Sequence, residues 1–90
     1  MIVAAIRHPV NDYDEWKTAF DTYPPTEHGA LFARVNRSLD DPNMVAVIAG
    51  FETLEGAKAF LDSPELKQKM MEAGVAGEPR IELYEEVASL

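Results

Sequence analysis

The chain contains no cysteine, which removes disulfides, thiolate nucleophiles and Cys-based zinc sites. It is also short of base: eight Lys and Arg stand against sixteen Asp and Glu, a formal charge of −8 at pH 7. Nucleic acids and anionic membrane surfaces are both held by clustered Lys and Arg, so neither partner is expected. Long apolar runs are missing too. Ile2 to Ile6 is apolar, but it is too short for a signal-peptide core or a membrane span and no basic stretch precedes it. A cytoplasmic protein is expected. The carboxylates are scattered: Asp12, Asp14 and Glu15 suit a helix start, Asp40 and Asp41 a turn, Glu85 and Glu86 a terminal strand. There is no EF-hand loop, HExxH pair, Walker loop or dinucleotide glycine pattern, so no metal, nucleotide or other cofactor is expected.

What is present is one domain's worth of patterned sequence. Ninety residues leave no room for a second domain, and no repeat, low-complexity tract or linker divides residues 1–90. A body of this size buries only roughly two thirds of its unfolded surface. With disulfides unavailable, association is the remaining way to cover more.

The pattern reads β-α-β-β-α-β. Ile2 to Arg7 is a short aliphatic strand closed by Pro9, which cannot donate to a ladder. Asn11 or Asp12 then caps a helix with Asp14 and Glu15 in its first turn, where the helix dipole favours negative charge. Tyr13, Trp16, Phe20 and Tyr23 follow at spacings of three and four, an aromatic stripe that ends at Pro24 and Pro25. From Leu31 to Leu39 the chain alternates, with Leu31, Ala33, Val35 and Leu39 on one face and Phe32, Arg34, Asn36 and Ser38 on the other. Asp40-Asp41-Pro42-Asn43 makes a turn into the nearly unbroken apolar run Met44 to Phe51. A run of that kind in an antiparallel sheet implies that both faces are covered.

Thr53 is placed to cap the next helix, whose apolar stripe is Leu54, Ala57, Phe60 and Leu61. Ser63-Pro64 is a fresh cap with proline at the first helical position, so this helix is predicted to kink or split near Asp62 and Ser63. Gly74 and Gly77 end it. Beyond Pro79, Ile81, Leu83 and Val87 alternate with Glu82, Tyr84 and Glu86 as a last strand.

In this order, right-handed crossovers put both helices on one face of the four-stranded antiparallel sheet. The other face carries too much apolar surface to remain wet. A second copy is the simplest cover, and two sheets face to face enclose a barrel, so a homodimer is expected.

Arg7-His8-Pro9-Val10, Asp12-Tyr13-Asp14-Glu15-Trp16-Lys17 and Phe20-Asp21 resemble the opening of small bacterial proteins of the dimeric α+β barrel superfamily. Asp41-Pro42-Asn43, Phe51-Glu52, Ala59-Phe60-Leu61, Ser63-Pro64-Glu65-Leu66 and Ala73-Gly74-Val75 extend the resemblance over nearly the whole chain. It implies a ferredoxin-like α+β protomer. The superfamily includes antibiotic-biosynthesis monooxygenases, haem-degrading enzymes, polyketide cyclases and muconolactone-isomerase-like proteins, so membership alone selects no reaction. The haem-degrading members use an Asn, Trp and His set whose placement Trp16 and His8 do not reproduce, and haem chemistry is not carried over.

Two histidines are the only side chains whose ordinary pKa suits proton transfer near neutrality. His8 ends a central strand where its ring can reach the barrel mouth, or else simply bonds a loop carbonyl. His28, in the loop after the two prolines, overhangs a cavity or is merely solvated. Arg34 shares a face with Phe32 and Asn36 and can hold a carboxylate or enolate oxygen, unless it pairs with a neighbouring glutamate. Tyr84 is a further candidate for lining the barrel. Trp16 reads as core, as do Met70 and Met71.

Two functions follow. One is an enzyme acting on a small aromatic or polyketide-type molecule by proton transfer in the barrel: a cofactor-independent monooxygenase, or a cyclase. His8, His28 and Arg34 would be its catalytic groups, and Phe32, Asn36 and Tyr84 its substrate contacts. The other is a non-catalytic binding or stress-associated module. A cavity of a few hundred cubic ångströms lined by polar groups favours the first, and a barrel interior filled by Phe32 and Tyr84 the second.

Overall fold

The structure is a computed structural model that describes Met1 to Leu90. Its elements are β1 (Ile2–Pro9), α1 (Tyr13–Phe20), a 3₁₀ turn (Pro25–Glu27), β2 (Ala30–Arg37), β3 (Met44–Phe51), α2 (Leu54–Leu61), α3 (Pro64–Glu72) and β4 (Arg80–Glu85). The strands form one antiparallel sheet in the order β2-β3-β1-β4. This is the ferredoxin-like α+β arrangement, with the second helix divided as the Ser63-Pro64 pair predicts.

Local chemistry sets the helix ends. Asp12 accepts from the Glu15 amide at 3.0 Å, Thr53 from Gly56 at 3.0 Å and Ser63 from Leu66 at 3.4 Å. Each cap satisfies one of the amides that a helix start leaves without a partner. Pro64 has no amide hydrogen to continue α2, and the chain restarts as α3. At the far end Gly74 takes φ +84°, while the Val75 amide bonds Met70 O and the Gly74 amide bonds Met71 O. These are the paired bonds of a Schellman stop.

The core lies on one side of the sheet. Ala4, Ile6 and His8 of β1 and Val45, Val47, Ala49 and Phe51 of β3 are buried beneath Trp16 of α1 and Ala57 and Phe60 of α2. The other side is open, and four cross-strand rows describe it. Phe32, Gly50, Val3 and Tyr84 form one; Arg34, Ile48, Ala5 and Glu82 the next; Asn36, Ala46, Arg7 and Arg80 the third; Met44 and Pro9 the last. The apolar run of β3 thus divides between a fully buried face and a partly exposed one, rather than being covered twice within the chain.

Three boundaries differ from the sequence reading. The aromatic stripe outruns its helix: α1 stops at Phe20, and Tyr23 sits in the turn beyond, still packed on the core. In β2, Ala30 opposes Phe51 and Phe32 opposes Gly50, so Leu31 is an extra residue in a bulge and stands 60% exposed. Leu39 lies past the strand end and is fully exposed. Ala30, not Leu31, fills the inner position.

Candidate functional site

The division of the helix creates a cavity. α2 buries Ala57 and Phe60 against the sheet, whereas α3 buries no residue. Between the stand-off of α3 and the sheet lies a cavity of about 340 Å³, within the range of small-molecule pockets. Ile6 and His8 of β1, Trp16 of α1, Tyr23, and Leu66 and Met70 of α3 are among the residues that line it. Ten of its fifteen lining residues are hydrophobic, and its only charged ones, Lys67 and Glu78, are exposed.

His8 is the chemical centre of this space. β1 pairs with β3 in unbroken register from Ile2 to Pro9, so the proline introduces no bulge and His8 keeps the inward side shared with Ala4 and Ile6. It is 3% exposed. Its ring stands edge-on to Trp16, with centroids 5.7 Å apart and planes at 66°. Nδ1 lies 3.3 Å from the Pro9 carbonyl oxygen. A carbonyl only accepts, so in this assignment Nδ1 carries the hydrogen and Nε2 keeps its lone pair. Nε2 has no partner in the chain, yet no fully buried side-chain nitrogen is unpartnered, so it opens on the cavity that His8 lines. Burial lowers the imidazole pKa below 6.5, outweighing the opposing effect of the Pro9 hydrogen bond. A neutral imidazole with one free lone pair, in an apolar cavity, is equipped to accept a proton.

The other candidates lie elsewhere. His28 stacks on Tyr23 at 3.7 Å and faces Phe60 at 6.4 Å, so it backs the cavity wall and does not line it. Phe32, Arg34, Asn36 and Tyr84 all occupy the open face, on the opposite side of the sheet from His8. Arg34 pairs with no glutamate; its guanidinium stacks 4.2 Å over the Phe32 ring. Asn36 donates to the Ala46 carbonyl at 3.2 Å. The Tyr84 phenol is raised above its usual pKa, chiefly by hydrogen bonding to the Glu82 carboxylate. The sheet therefore separates His8 from Arg34, and the two cannot act on one atom within a protomer.

Sequence reading missed Ile6, Leu66, Lys67 and Glu78 as cavity residues and took Met70 for plain packing. The usable signal was the proline-broken helix, because a helix that restarts at Pro64 need not lie flat on the sheet. Met71, expected beside Met70 in the core, is exposed.

No protein-family model and no curated protein matches the chain. Solved structures do. SnoaB, a cofactor-independent oxygenase from Streptomyces nogalater, superposes with a TM-score of 0.80 at 16% identity, covering 99% of this chain and 95% of that one. A proposed antibiotic biosynthesis monooxygenase from Deinococcus radiodurans gives 0.77 at 14% identity over 100% and 96%. Another, from Caulobacter crescentus, gives 0.76 at 20% identity over 97% and 90%. At these identities the likeness shows the fold alone, the ferredoxin-like α+β arrangement of one sheet and its helices.

Proposed function

We propose that the protein binds a small, mainly apolar, ring-containing organic molecule in the cavity beneath α3, and that His8 Nε2 removes a proton from it to begin cofactor-independent oxygenation. The observation that carries this reading is His8 itself: buried, neutral, its Nδ1 hydrogen committed to Pro9 O and its Nε2 facing an apolar cavity of about 340 Å³. Its likeness to SnoaB supports the reaction class.

The chemistry balances without a cofactor. Nε2 takes a proton from an activated CH₂ of the ligand, and the resulting carbanion gives its electrons to O₂. The hydroperoxide so formed loses water to leave a carbonyl, so one O₂ is consumed and one H₂O released per ligand. Trp16, Leu66 and Met70 surround the carbanion with apolar surface, which limits the water beside it. Ring closure would begin with the same proton removal, which keeps a cyclase as the second reading for this site.

A homodimer joined through the open face belongs to the same proposal. Phe32, Val3, Ala5, Ala46 and Ile48 make that face apolar at its centre, and a 90-residue chain has little other surface with which to deepen its core.

Oxygen uptake with phenols that carry an activated CH₂ tests the enzymatic reading. Uptake equimolar with ligand is expected, at a rate about 10²-fold or more lower in His8→Ala. Binding without uptake in the wild type would leave a non-catalytic binding module.

A further inference from the structure

The basic residues are sorted by side of the molecule. All four lysines, Lys17, Lys58, Lys67 and Lys69, lie on helices and Arg37 stacks on Tyr13 of α1, whereas the other three arginines, Arg7, Arg34 and Arg80, lie on the open sheet face. In a chain of net charge −8, this face carries three guanidinium groups against the single carboxylate of Glu82. Two of the arginines are direct neighbours: Arg7 and Arg80 are Cα partners across β1 and β4. Like charges directly opposite in a sheet are unfavourable. Nothing in the chain relieves them fully. Glu82 approaches Arg80 at 3.4 Å but is shared with the Tyr84 phenol, and Arg7 makes no ion pair.

The two arginines also border one recess. Ala5 and Ala46, which have almost no side chain, leave an open hollow of about 360 Å³ rimmed by Arg7, Arg80 and Glu82. We propose that this hollow is a binding site for a small oxyanion, a phosphate or carboxylate group held between the Arg7 and Arg80 guanidinium forks. Planar guanidinium groups match such oxygens two at a time, and a bound anion turns the repulsion of the pair into attraction. The site is independent of the cavity around His8, from which the sheet separates it. If a second copy covers the open face, the hollow becomes enclosed and anion binding strengthens the dimer by linkage.

Calorimetric titration and thermal unfolding in inorganic phosphate and in acetate, each against sodium chloride at matched ionic strength, test the site. Saturable binding and a rise in Tm with phosphate or acetate, absent in chloride, are expected, and the anion that saturates identifies the group. Arg7→Met and Arg80→Met should each weaken binding about tenfold or more, while His8→Ala binds as the wild type does. Without anion, Arg7→Met should melt no lower than the wild type, because the like-charge pair is gone. No saturation beyond chloride, or unchanged binding in both arginine variants, overturns the proposal. So does a Tm that ignores both anions yet rises with protein concentration and loses that rise in Arg7→Met, which would assign the arginines to carboxylates of a second copy.

Discussion

His8 and Trp16 meet edge to face beneath α1, their ring centroids 5.7 Å apart. One residue comes from the inward side of β1 and the other from the apolar stripe of α1, and together they close the inner end of the cavity. This contact makes His8 part of the core as well as the one imidazole open to a bound ligand, and the two roles have separable consequences.

The first is a pH dependence of stability. Burial holds the His8 pKa below 6.5 in the folded chain, so below that pH the unfolded chain binds the proton first. The stability that neutral His8 contributes is fully present above pH 6.5 and is lost progressively as pH falls toward the lowered folded value. Urea midpoints measured down through this range should fall more steeply for the wild type than for His8→Phe. Parallel curves would mean that His8 titrates alike in both states.

Trp16 is the larger packing element of the pair. It is almost wholly buried and also contacts Tyr13 and Phe20. Trp16→Ala should cost about 3–5 kcal/mol, read by circular dichroism in denaturant.

On the opposite face, the Phe32 ring covers Gly50, and a Cβ added at position 50 would overlap it. Gly50→Ala must push the ring aside and break the Arg34 stack. A loss of about 1–3 kcal/mol is expected. Phe32→Ala in the same chain should make the two changes less than additive, which a double-mutant cycle measures.

The break between α2 and α3 rests on Ser63 and Pro64. Ser63→Ala removes the α3 cap and should cost about 0.5–2 kcal/mol in thermal or chemical unfolding. Because Leu66 and Met70 of α3 line the cavity, ligand affinity should fall with it.

Much of this was legible in the sequence where the signals are local. Asp12, Thr53 and Ser63 cap as their side chains predict, and Pro64 splits the helix where it stands. The face of His8 was not legible, since it depends on whether β1 runs in register through Pro9, which only pairing with Met44 settles. Nor was the bulge at Leu31, whose flanking alternation looks regular. The separation of His8 from Arg34 follows from the pairing of β1 and β2 with β3: His8 lies opposite Val45 and Arg34 opposite Ile48, which point to opposite faces of β3, and only the register shows it. The cavity was hidden for a different reason. The spacing of Leu66 and Met70 is that of a helix packed on a sheet, and nothing in it reveals that α3 stands off.

The claim that the ligand site lies on the helix side of the sheet is tested most directly by fluorescence. Trp16 is the only tryptophan in the chain and it lines the cavity. Titration with a nitrophenol, a planar quencher, should give saturable loss of Trp16 emission. The loss should be weakened about tenfold or more by Ile81→Glu, which puts a charge at the cavity edge, and unchanged by Arg34→Ala on the other face. Quenching that does not saturate, or that vanishes in Arg34→Ala and survives in Ile81→Glu, would place any site on the open face and contradict the account.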